Sequence, residues 1–155
     1  MMEDSEAVKA ALDRGTIVTD LNAKTKDEVF EALAGRLKEQ GYIESVDSFL
    51  DALHDREKEG ATGIGGHVAI PHGRSDTVRK NGIAIAVLHD EIAWESLDDT
   101  GAKVVVLFAV GATDEGSQEH LKLLSLLARR LAKADVVSDL LEASDVDDVI
   151  AALTK

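Results

Sequence analysis

The chain contains no cysteine, and that one absence removes disulfide staples, thiol catalysis and thiolate metal sites together. Aromatic residues make up only 3% of it, so a core has to be assembled from Val, Leu, Ile and Ala, and the stacking platforms of single-strand nucleic-acid binding are not expected. Long apolar runs are also missing. The densest, Val104 to Val110, falls far short of the ~20 residues that span a bilayer. The amino terminus, Met1-Met2-Glu3-Asp4-Ser5-Glu6, is acidic where a secretory signal would be basic and then apolar, which predicts a cytoplasmic location. Positive charge is scarce: 17 Lys and Arg stand against 30 Asp and Glu, for a formal net charge of -13. Such a field repels phosphate backbones and anionic headgroups, so neither nucleic acid nor a membrane surface is expected as a general partner. Seventeen aspartates against ten lysines resemble the surface chemistry of proteins from salt-loving organisms, where excess charge keeps chains soluble when salt screens repulsion.

What is present suits one globular domain over residues 1–155: 45% hydrophobic residues and no Pro/Ser-rich linker or internal repeat. Thr16 to Leu21 reads as a strand. Thr25 and Glu28 have capping-box spacing ahead of Val29, Phe30, Leu33 and Leu37, which predicts a helix ending near Gly41. A second helix is expected after Ser45, with Val46, Phe49, Leu50 and Leu53 on one stripe. Four glycines between Glu59 and Gly66 predict a loop whose backbone can approach a ligand. Val68-Ala69-Ile70 reads as a short strand that Pro71, the only proline, should end, leaving His72 just beyond on a stiffened backbone. Gly82 to His89 and Lys103 to Val110 read as buried strands, with Ile92-Ala93-Trp94 as a short hairpin partner. Helices follow over Ser117 to Ala132, Asp135 to Glu142 and, behind a Ser144 cap, Val146 to Leu153. The expected fold is α/β, a mixed sheet of about five strands flanked by helices on both faces.

Three features converge if the chain folds this way: His72 at a strand end, the glycine loop, and Arg56 at a helix end. A neutral imidazole is a usable nucleophile near pH 7. A guanidinium offers planar, charge-assisted donors to phosphoryl oxygens, and glycine amides can add more. Composition alone favours Arg56 and Glu57 as solvated charges on a last turn, and only the following loop argues otherwise. His120 begins the stripe that continues through Leu124, Leu127 and Leu131, so its ring should face inward. There it is either a donor to a phosphoryl group or a core histidine bonded to a carbonyl. His54, His67 and His89 read as surface or rim residues. No H-E-x-x-H or comparable spacing accompanies them, so no metal is expected.

Arg56-Glu57, then Thr62-Gly63-Ile64-Gly65, then Val68-Ala69-Ile70-Pro71-His72-Gly73-Arg74, with His120-Leu121-x-x-Leu124 further on, resemble the enzyme IIA domains of the fructose/mannitol class of the phosphoenolpyruvate-dependent sugar phosphotransferase system. The resemblance covers essentially the whole chain. It implies a phosphotransferase in which His72 accepts a phosphoryl group from the carrier HPr and passes it to an enzyme IIB domain, for uptake of a sugar such as fructose. On the same ground Arg56 and His120 would stabilise the phosphoryl group, Thr62, Gly63 and Gly65 would support the loop, no organic cofactor would be required, and contact with the membrane would be indirect, through a IIC component. Many relatives carry a small residue, often glycine, in place of His67. Three alternatives stand beside this reading: a regulatory, nitrogen-related enzyme IIA, a histidine-based metal hydrolase, and a binding module without chemistry. Ile64, Ile70 and Leu124 are the candidates for apolar docking ground near His72.

Overall fold

Side-chain caps start four of the α-helices. The computed structural model describes residues 2–155, with side chains from Ser5 onward. Helix α1 (Met2–Ala11) leads through a turn of 3₁₀ helix, Arg14–Thr16, into strand β1 (Ile17–Leu21). Helix α2 (Lys26–Glu39) starts where the Thr25 hydroxyl accepts from the Glu28 amide. The Glu28 carboxylate answers by accepting from the amide of Lys24, just ahead of the cap, so the chain entering the helix is tied to its first turn. Helix α3 (Val46–Glu59) is capped in the same way by Ser45. Strands β2 (Gly63–Gly65), β3 (Val68–Ala69), β4 (His72–Ser75), β5 (Gly82–Ile92) and β6 (Ala102–Gly111) follow, then α4 (Asp114–Leu131), α5 (Ala134–Glu142) and α6 (Val146–Leu153).

All six strands form one mixed sheet in the order β1-β5-β6-β3-β2, with β4 also paired to β6. β5 and β6 are antiparallel, whereas β1 runs parallel to β5, and β3 and β4 run parallel to β6. Alternation along β6 feeds two cores. Val105, Leu107 and Ala109 face α2 and α3 with Phe30, Leu33, Phe49 and Leu53. Val104, Val106, Phe108 and Val110 face the layer that holds Leu127, Leu131, Val136, Leu140 and Val149. Both faces are therefore covered, and burial of each large side chain stabilises the fold by about 1.5–3 kcal/mol before entropy is counted.

Pro71 ends β3 but not the edge it belongs to. The Phe108 amide donates to the Pro71 carbonyl at 2.9 Å, and the chain then rejoins β6 with His72 opposite Phe108. His72 is thus the first residue of a hydrogen-bonded strand. The sheet has six strands where the sequence predicts about five: the glycine stretch is only partly a loop, since Gly63 and Gly65 pair with Ala69 and Val68, and the chain beyond Pro71 adds β4. Ile92 continues β5 and pairs with Ala102, and Trp94 lies beyond the strand, so the expected hairpin partner is absent. Asp145, not Ser144, caps α6 by accepting from the Asp148 amide, and Ser144 donates to the Asp148 carboxylate instead. Gly65, Gly66 and His67 have φ of 91°, 62° and 71°, and the left-handed region costs a side-chain-bearing residue roughly 1–2 kcal/mol. The His67 ring meets the Glu91 carboxylate through Nδ1.

Candidate functional site

Beyond the open edge of β4 lies a hollow of about 470 Å³, walled on one side by α3 and on the other by α4. Gly73 shows why α3 can sit so close, since a Cβ at that position would meet the Phe49 ring at 2.6 Å. Because side chains alternate along a strand, the residues on either side of Gly73, His72 and Arg74, point away from Phe49 and into the hollow. Arg56 and the carboxylates Asp51, Asp55 and Glu59 come from α3, and Ser117 and His120 from α4.

The rings of His72, His120 and Phe108 pack as a triad. His72 and His120 meet edge to face with centroids 4.8 Å apart, and Phe108 lies 5.4 Å from the first and 5.2 Å from the second. Nδ1 of His72 is buried without a hydrogen-bond partner among the described residues, which leaves Nε2 as the nitrogen that can meet an incoming group. Burial, the His120 ring and the Arg56 charge together lower the His72 pKa to about 4, opposed weakly by the Ile70 carbonyl. His120 is lowered as well, by burial. Both rings are therefore neutral at physiological pH. Arg56 donates from Nη1 to the Gly60 carbonyl at 3.3 Å, a bond long enough to be exchanged for a better acceptor.

The structure brings His72, Arg56 and His120 together and leaves Thr62, Gly63 and Gly65 outside the hollow. The Gly63 amide donates to the Glu95 carbonyl at 3.0 Å. The Asp98 carboxylate takes the Gly66 amide and would sit 2.8 Å from a Cβ on Gly65. These glycines hold β2 against the 95–100 segment and supply no donor at His72. Thr62 supports the site at one remove. Its buried hydroxyl donates to Glu57 Oε2 at 2.7 Å and accepts from Trp94 Nε1 at 2.9 Å. Glu57 in turn holds Lys26 at 2.6 Å, with its side chain 10% exposed. Glu57 is thus no solvated charge, and its network fixes the turn that carries Arg56. Ile64, Ile70 and Leu124 are half-buried against the core on the α4 side and do not line the hollow. Leu121, 60% exposed, is the apolar residue next to His120.

Sequence reading missed the carboxylate row on α3, although spacing by four from Asp51 to Asp55 to Glu59 puts all three on one face. It also missed Arg74 as a lining residue, which the two-residue period from His72 could have indicated, and Phe108, whose register no local signal carries. Among the described residues no three His, Asp or Glu side chains are grouped to hold a metal ion, and no helix is long and apolar enough to cross a membrane.

Comparison with known proteins adds an independent line. Residues 10–155 match the family described as phosphoenolpyruvate-dependent sugar phosphotransferase system, EIIA 2. A fructose-specific EIIA component from Haloferax volcanii is 38% identical over 82% of this chain and 83% of its own length, and its source fits the high-salt habitat suggested by the aspartate excess. The fructose-specific EIIABC component of Bacillus subtilis is 32% identical over 90% of this chain, which spans only 22% of that longer protein. Among solved structures, the nitrogen regulatory protein IIA-Ntr from Neisseria meningitidis superposes with a TM-score of 0.85 at 27% identity, covering 95% of this chain and 99% of that one. The mannitol IIA of Escherichia coli gives 0.77 at 27% identity, covering 92% and 98%. A mixed sheet between helical layers, a neutral histidine at its open edge and these matches agree: the chain belongs to the EIIA type 2 family of the phosphoenolpyruvate-dependent sugar phosphotransferase system, whose members are phosphoryl carriers.

Proposed function

We propose that this chain acts as one carrier domain that takes a phosphoryl group from HPr onto Nε2 of His72 and hands it to an enzyme IIB domain, serving fructose uptake. The observation that carries the reading is the state of His72: a neutral ring, held on a sheet strand, with one nitrogen buried and the other open to a hollow that contains Arg56 and His120. With the proton on Nδ1, the Nε2 lone pair attacks phosphorus as the bond to the donor histidine breaks. The donor nitrogen leaves with its electron pair, and the transfer reverses by the same path. Arg56 and His120 meet the charge spread over the three oxygens, and catalysis is otherwise positioning.

The fructose assignment is supported by the name of the Haloferax relative, and the IIB partner by a solved complex of mannitol IIA with phosphorylated IIB from Escherichia coli, to which this chain is 26% identical at a TM-score of 0.77. The test is incubation with phosphoenolpyruvate, enzyme I and HPr. One acid-labile phosphoryl group is expected per chain, and none in His72→Ala; unchanged labelling of that variant defeats the assignment. A second reading, a nitrogen-related regulatory carrier, is favoured by the higher TM-score to IIA-Ntr. Transfer from the labelled protein to a fructose-type IIB domain separates the two, because a purely regulatory carrier leaves that acceptor unlabelled.

A further inference from the structure

The hollow contains a second guanidinium that the family resemblance leaves without a role. Arg74 stands two residues beyond His72 on β4, about 7 Å along the strand by the repeat of extended chain and on the same side. Among the described residues its side chain meets a single partner, the neutral carbonyl of Ala112, to which Nη2 donates at 2.9 Å. It makes no ion pair with the carboxylates Asp51, Asp55 and Glu59 of the facing wall, although all of them line the same hollow. An arginine left unpaired beside three carboxylates, in a chain with 30 acidic residues, keeps its fork free for an anion that is not yet there.

Charge balance sharpens the point. Three carboxylates face two guanidiniums in the hollow, and a phosphoryl group adds about two further negative charges. Arg56 alone would leave the phosphorylated hollow strongly repulsive. We propose that Arg74 is a second phosphoryl-binding residue: once His72 is modified, its guanidinium leaves the Ala112 carbonyl for a phosphoryl oxygen, while Arg56 and His120 hold the others. This rests on the reading of His72 as the phosphorylated residue. Arg74 is exposed, so the Ala112 carbonyl is rehydrated at little cost when the side chain moves. The carrier is then clamped from three directions, α3, α4 and the strand itself.

The experiment uses the full chain with two donors, HPr phosphorylated by the enzyme I system, and phosphoramidate, a small donor with no protein surface. With phosphoramidate, Arg74→Gln should label about tenfold more slowly than wild type, and Arg74→Lys should recover most of the rate because charge is restored. In the phosphorylated protein the ³¹P resonance should titrate at higher pH in Arg74→Gln, since a lost cation makes the phosphoryl group easier to protonate. Unfolding temperatures should match wild type. Wild-type labelling of Arg74→Gln by phosphoramidate overturns the proposal, even if transfer from HPr falls, because the arginine then belongs to docking. Equal loss in both variants, with a lower unfolding temperature, also overturns it, because Arg74 is then a tie to the Ala112 turn. Failure of the wild type to label at all would count instead against His72 as the acceptor.

Discussion

His72 resists protonation far below the range of an ordinary imidazole, and the sign of that shift has two outcomes. Because the folded ring titrates at about 4 against about 6.5 in the unfolded chain, the unfolded state binds the extra proton between those values. The contribution His72 makes to stability is therefore complete above pH 6.5 and is lost as pH falls towards 4. Its nucleophile stays available over the same interval, so labelling by phosphoramidate should not decline below pH 6.5 as it does for a free imidazole. Proton NMR of the ring checks this directly, and a midpoint near 6.5 would contradict it. For Arg56→Ala, loss of one charge-stabilising donor should slow transfer by roughly a hundredfold with the fold retained, read as a single-turnover rate from phosphorylated HPr. A wild-type rate would return Arg56 to the solvated charge that composition favours.

Elements place these residues through contacts that are short and backbone-limited. Gly73 lies flat under Phe49, so Gly73→Ala must push α3, and Arg56 with it, away from β4. A destabilisation of about 1–3 kcal/mol and a slower transfer are expected together, measured by denaturant unfolding and by labelling. Thr62→Val removes the hydroxyl shared by Glu57 and Trp94, leaving two buried polar groups unmatched at a cost of about 1–3 kcal/mol each. The single tryptophan reports the change through its fluorescence. Amphipathic stripes made α2, α3, α5 and α6 readable from sequence to within a residue or two, with caps adding to the first two, as was β6 from its dense apolar run, whereas β5 runs three residues past its expected end at His89. What sequence could not show depends on distant partners. β2 exists because two glycines find Ala69 and Val68 across a tight turn, α1 has a mean hydropathy near neutral with only a weak stripe, and Trp94 looks like a strand residue but is held by Thr62. At the site, His72 was legible beside Pro71 and the inward face of His120 from its helical stripe, whereas Arg56 stood out only through the glycine loop after it and the family resemblance. Their common meeting with Phe108 was not, because β6 comes to β4 from thirty-odd positions away in the chain.

The whole molecule carries a net charge of -13, from 30 Asp and Glu against 17 Lys and Arg. Self-repulsion of that size is screened over ~10 Å at 0.1 M salt and over ~3 Å at 1 M. The unfolding temperature should therefore rise with potassium chloride, by roughly 3–6 °C between those concentrations if relief is worth about 1–2 kcal/mol. Thermal melts at several salt concentrations test this, and a flat or falling series would show that the acids are already balanced. The placement of His72 reaches further. Pro71 interrupts the edge strand, yet the chain on both sides of it is stitched to the same central neighbour, so the reactive ring cannot swing out on a tether as a loop residue could. It behaves as a fixed anvil with one mouth. On the carrier role proposed above, proteins that load and unload it would have to occupy the same ground in turn, so no complex would hold both, and throughput would be capped by how quickly the first of them lets go.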